Sequence, residues 1–140
     1  MNLVDYEEAM EAFRNGRIES LASKIAPFLQ AGDLDARYLN ALFSLDPNES
    51  GEDFDLRSTN ELSDLAALQH ANSLYKMAWK FRHGDEVDPD FQKFRSYLTA
   101  AALLGQREAV DDLAAQIELD FGWDDFAESV ARNNRSGGGV

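Results

Sequence analysis

Apolar residues in this 140-residue chain recur at every third or fourth position, and no stretch alternates with the period of two that a half-buried strand requires. A chain patterned in this way buries its apolar faces by packing helix against helix. Leu3, Tyr6, Met10 and Phe13 mark a helix over 3–15, and Gly16 closes it in the manner of a C-terminal glycine cap. Ile18, Leu21, Ile25, Phe28 and Leu29 mark a second over 18–31, where Pro27 is expected to kink or shorten the last turn. Gly32 stops it, and Asp33 caps a third helix over 33–45 carrying Leu34, Tyr38, Leu39, Leu42 and Leu45.

Residues 46–57 break the pattern. Proline, glycine and the acidic Asp46, Glu49, Glu52, Asp53 and Asp55 predict one long internal loop. Ser58 and Glu61 then have capping-box spacing, which predicts a long helix over 58–83 closed by Gly84, with His70 in its middle. Asp88-Pro89 opens the next helix, 89–104, and Gly105 closes it. Helices over 106–119 and 123–132 follow, with Trp123 and Phe126 expected to cap the open end. The tail 133–140 has nothing to bury and is expected to be flexible.

Composition removes whole classes of function. Cysteine is absent, which excludes a disulfide scaffold, a thiolate zinc site and a cysteine nucleophile. His70 and His83 are the only histidines, too few for a multi-histidine metal centre. No apolar run approaches the roughly 20 residues that span a bilayer, and the first residues lack a secretory pattern. A cytoplasmic protein is therefore expected. Thirteen basic residues against twenty-six acidic ones give a formal net charge of −13. That charge argues against nucleic acid and anionic membrane as partners. It suits a soluble, self-repelling monomer or a partner for something basic.

Two stretches repeat one design. The first runs Met77-Ala78-Trp79-Lys80-Phe81-Arg82-His83-Gly84, then Val87, Asp90-Phe91, Tyr97-Leu98, Ala101-Ala102 and Gly105. The second runs Ile25 to Leu39 through Pro27, Gly32-Asp33 and Ala36. Small residues at Ala78, Ala101 and Ala102 let helix backbones approach closely, and Phe81, Tyr97 and Leu98 fill the space between helices. Both stretches resemble the Sel1-like repeat, a relative of the tetratricopeptide repeat, and together they cover about half of the chain. The chain departs from that pattern at Phe94, where the family prefers alanine; a locally irregular stack follows. The resemblance implies an all-α fold of stacked antiparallel helical hairpins, a short α-solenoid of about seven helices. It would occupy 1–132 as a single domain; the alternative is an unrelated helical bundle. The resemblance also implies a protein-binding module whose first helix in each hairpin lines a concave surface.

Catalytic and cofactor signatures are weak. Asp46-Pro47-Asn48-Glu49-Ser50-Gly51 imitates the opening of a calcium loop, but Arg57 stands where the bidentate glutamate belongs. No serine sits in a nucleophile elbow and no glycine motif cradles phosphate. Asp111, Asp112, Asp124 and Asp125 lie in helix-forming sequence without the basic or aromatic neighbours of a substrate cradle. No enzyme activity, metal or cofactor is expected; a carboxylate-dependent or calcium-regulated enzyme is the rival from another class. His83, beside Gly84, suits a helix C-terminus.

Tyr75, Trp79 and Arg82 form an i, i+4, i+7 stripe of residue types common at binding hot spots, beside Lys76, Lys80 and His83. The stripe is either a binding surface or covered by another helix. Asp53 and Asp55 in the acidic loop, with Asp111, Asp112, Asp120, Asp124 and Asp125 near the C-terminus, are the surfaces expected to meet a basic protein. A bacterial immunity protein that neutralises a basic toxin domain fits this pattern; an adaptor or scaffold in a bacterial signalling or secretion complex is the alternative.

Overall fold

A computed structural model describes residues 1–121 and 131–132. Among the described residues the chain forms seven helices and no strand. They are α1 (Leu3–Arg14), α2 (Ile18–Gln30), α3 (Leu34–Ala41), α4 (Gly51–Ala67), α5 (Ala71–His83), α6 (Phe91–Leu103) and α7 (Arg107–Phe121). The expected helix over 123–132 falls largely outside the described residues, as does the tail 133–140. Gly16, Gly32, Gly84 and Gly105 all take positive φ at the ends of helices. Gly84 is the tightest: at φ +74° an added Cβ would lie 2.7 Å from Cγ of Pro89.

The middle of the chain differs from expectation in three ways. The acidic segment is mostly not a loop, because α4 starts at Gly51, capped by Ser50 accepting from the Asp53 amide at 3.0 Å. Asp53 and Asp55 therefore lie on a helix. Ser58 is no cap; it sits with Thr59 on the buried face of α4. The expected 58–83 helix is two helices, broken at Leu68–His70, where Gln69 takes φ +63° without being glycine. Two smaller differences concern ends. α3 stops at Ala41, well short of 45, and α2 runs through Pro27 to Gln30. Pro27 lacks the N–H that would bond the Ser23 carbonyl, so α2 gives up one helical bond there and still continues for three residues.

Each helix packs mainly on its neighbours in sequence, and α1 also touches α3. This nearest-neighbour order makes the chain a stack of antiparallel helical hairpins. Leu21, Ile25, Leu39, Leu62, Leu65, Phe94 and Leu98 are the large side chains at its centre. Burying each is worth about 1.5–3 kcal/mol against leaving it in water. Ala78 and Ala101 are fully buried where α5 meets α6, and the Phe81 and Tyr97 rings stack between the same helices at 5.4 Å. Phe94 is wholly buried as well, between the rings of Trp79 at 5.2 Å and Phe91 at 5.7 Å.

The odd-numbered helices begin side by side. Asn2, Asp33, His70 and Gln106 stand at their starts, and each side chain accepts from the backbone N–H three residues on. Cross-links join these starts. The Met1 amino group bonds Asp33 at 2.6 Å, His70 meets Asp35 at 2.8 Å, and Gln106 donates to Asn72 at 3.3 Å. The linked residues are 32, 35 and 34 positions apart in sequence. The amide donors at Ala36, Ser73 and Ala109 belong to small residues with no exposure, which lets neighbouring hairpins close on one another.

Candidate functional site

The even-numbered side of the stack carries a broad concavity. α2 and α4 both pack on α3 and stand apart above it, leaving a groove of about 560 Å³ that continues into a second of about 220 Å³ near the 42–50 loop. Leu29 of α2, Asn40 of α3 and Arg57 of α4 line both parts. The α4 wall is built by Asp53, Leu56, Arg57, Asn60, Glu61 and Asp64, spaced by three or four so that they share one helix face. Leu45 and Leu56 show 53% and 57% of their surface to solvent.

Two ion pairs fix the floor. Arg37 Nε donates to Glu61 Oε1 at 2.8 Å, joining α3 to α4. Arg57 holds Glu49 with two bonds, Nε to Oε2 at 2.8 Å and Nη2 to Oε1 at 3.0 Å, and Nη2 also donates to the Phe43 carbonyl at 3.1 Å. The guanidinium draws the Glu49 carboxyl down to about 2, with a further hydrogen bond from Ser44. Arg57 thus occupies, with its own carboxylate partner, the place where a calcium loop needs a bidentate acid. After these pairings, Asp53 and Asp64 have no ion-pair partner among the described residues. The Asp46 carboxylate accepts the Asn48 amide at 2.9 Å, within its own turn. The groove lining mixes apolar side chains with charged and amide ones and is net negative.

The other expected site residues are distributed differently. Asp55 is exposed on α4 but does not line the groove. Tyr75 and Trp79 are half-buried and Arg82 is exposed. Tyr75 donates its hydroxyl to Asp112 of α7 at 2.6 Å; burial, with this bond, pushes the phenol up to about 12. Trp79 packs on Phe94 and stacks on His83 at 5.3 Å, while Arg82 lies over the Phe91 ring at 5.6 Å. These three side chains thus meet α6 and α7. Asp112 is engaged by Tyr75, Asp120 pairs with Arg95, and Asp111 is exposed. Asp124 and Asp125 lie outside the described residues.

Sequence reasoning reached Asp53 but missed Arg37, Asn40, Leu56, Arg57, Glu61 and Asp64. Starting the helix at Gly51 would have shown the α4 stripe. Among the described residues, no group of three or more His, Asp or Glu is arranged to hold a metal ion, and no helix is long and apolar enough to cross a membrane. Comparison of the chain with family models, with curated proteins and with solved structures finds no match.

Proposed function

We propose that this chain is a non-enzymatic protein-interaction module of the Sel1-like type whose partner is a basic protein, as a bacterial immunity protein is to a toxin domain. The groove above α3 is the observation that carries this reading. Asp46, Glu49, Asp53, Glu61 and Asp64 line it against Arg37 and Arg57 alone, in a chain of net charge −13. Excess charge of one sign around a concave surface steers an oppositely charged partner and raises its encounter rate. Exposed Leu45 and Leu56 supply the apolar contact that holds the partner once it has arrived.

The test is capture by the tagged full-length chain from a lysate of its own host at low salt, followed by reconstitution from purified components. A stoichiometric complex with a basic protein is the expected result. Recovery of only neutral or acidic proteins, or of a complex that forms equally well after the groove carboxylates are neutralised, would contradict the reading.

A further inference from the structure

We infer that the groove between α2 and α4 receives an amphipathic basic helix of about three turns, seated on Leu29, Leu45 and Leu56 with its lysines or arginines against Asp53 and Asp64. The inference rests on the basic-partner reading above and adds the shape of the ligand and its seat.

Length sets the first limit. Asp53 and Asp64 stand near the two ends of the α4 wall, and at 1.5 Å per residue the span between them is about 16 Å, or about three helical turns. The walls set the second. α2 and α4 are separate helices over a third, so a helix entering between them packs side chains into ridges and grooves as the stack itself does. An extended peptide would find no sheet edge there. The described residues include no strand, and helix walls use their own backbone donors and acceptors internally.

Charge and exposure select the ligand chemistry. Leu45 and Leu56 are more than half exposed, although they flank a concave surface where an apolar side chain can be desolvated. Asp53 and Asp64 have no ion-pair partner among the described residues and stand near the two ends of the α4 wall along which a docked helix would run. A ligand with leucine-type residues at i, i+3, i+4 and i+7 and cationic residues on either side satisfies both features. A second copy of this chain would bring like charge to the same surface.

The experiment uses the full chain and three synthetic three-turn peptides, followed by fluorescence anisotropy. One carries leucines at i, i+3, i+4 and i+7 with lysines elsewhere. The second replaces the lysines by glutamates, and the third scrambles the first. The leucine–lysine helix is expected to bind at least about tenfold more tightly than either control. Leu56→Lys should weaken it by about tenfold or more, since one buried leucine carries at least that much. Asp53→Asn with Asp64→Asn should weaken it and flatten its salt dependence, while Asp111→Lys on α7 leaves it within about twofold. Circular dichroism of each variant, with Leu56→Ser as a milder second probe, separates lost binding from lost folding.

Equal binding of the scrambled peptide overturns the inference, because charge alone would then suffice. So does unchanged affinity in both Leu56 variants. If a captured basic protein still binds the Leu56→Lys chain but is lost on Asp111→Lys, the groove is overturned while the basic-partner reading stands.

Discussion

His70 Nε2 lies 2.8 Å from Asp35 Oδ1 and ties the start of α5 to the first turn of α3 across 35 residues of sequence. Its other ring nitrogen, Nδ1, accepts from the Ser73 amide at 3.3 Å and so caps α5. A capping Nδ1 must keep its lone pair, which leaves the proton on Nε2 to be donated to Asp35. One buried imidazole therefore ends a break in the helices and fastens two hairpins together.

Removing it should cost both roles. His70→Ala is expected to destabilise the fold by about 1–2 kcal/mol, the size of a lost N-cap in a partly buried setting. His70→Asn restores a capping oxygen but not the reach to Asp35, and should recover part of the loss. Urea unfolding of both variants checks this. Equal stability of the alanine and asparagine variants would show that capping contributes nothing.

The Glu49–Arg57 pair should leave a signature in acid. Arg57 holds the Glu49 carboxyl at about 2, below its ordinary 4.5. A carboxylate depressed in the folded state stabilises it fully above the ordinary value, and loses that contribution as pH falls toward the depressed one. Wild type and Glu49→Gln should therefore differ in urea midpoint at neutral pH. The gap should narrow from about pH 4.5 downward and close near pH 2. A gap independent of pH across that window would contradict the ion pair.

Trp79 should matter more to folding than to recognition. Its ring packs on the wholly buried Phe94. Phe94→Ala is expected to cost about 3–5 kcal/mol, and Trp79→Ala, half-buried, about 2–3 kcal/mol. Folded Trp79→Ala protein should keep its affinity for the leucine–lysine peptide. A stable variant that has lost binding would make the α5 stripe the recognition surface instead.

Two turn glycines should respond unequally to a methyl group. Gly105 at φ +85° has open space around it, so Gly105→Ala should cost about 1–2 kcal/mol for backbone conformation alone. Gly84→Ala adds a contact of 2.7 Å with the Pro89 ring and should cost more. Paired denaturation curves decide it; equal costs would mean that the Pro89 turn yields freely.

The helical class was legible because apolar spacing and turn glycines agree. Gly32, Gly84 and Gly105 each end a stripe and each takes positive φ. The break at Leu68–His70 carries no such mark. Gln69 adopts the left-handed region without glycine's freedom, and His70 is an uncommon cap whose role depends on Asp35 and Ser73 being nearby. The start of α4 was hidden for the opposite reason. Gly51, the acidic run and a better-looking Ser58–Glu61 box all point to a later start, while Ser50 is the residue that caps.

The same displacement concealed most of the groove. With 46–57 read as loop, Leu56 and Arg57 belong to no face. Once α4 begins at Gly51 they fall into line with Asp53, Asn60, Glu61 and Asp64. The opposite wall and the floor come from α2 and α3, and that neighbourhood is set by tertiary packing, which periodicity does not encode. The Tyr75–Asp112 bond is likewise a long-range partnership.

Ionic strength gives the most direct measurement of acid-steered recognition. The association rate of the full chain with its captured basic partner should be followed by stopped flow from low salt to well above physiological salt. Screening over a Debye length of about 10 Å at 0.1 M should slow association by about tenfold or more, while dissociation changes much less. An association rate that does not move with salt would contradict recognition of a basic partner through the acidic groove.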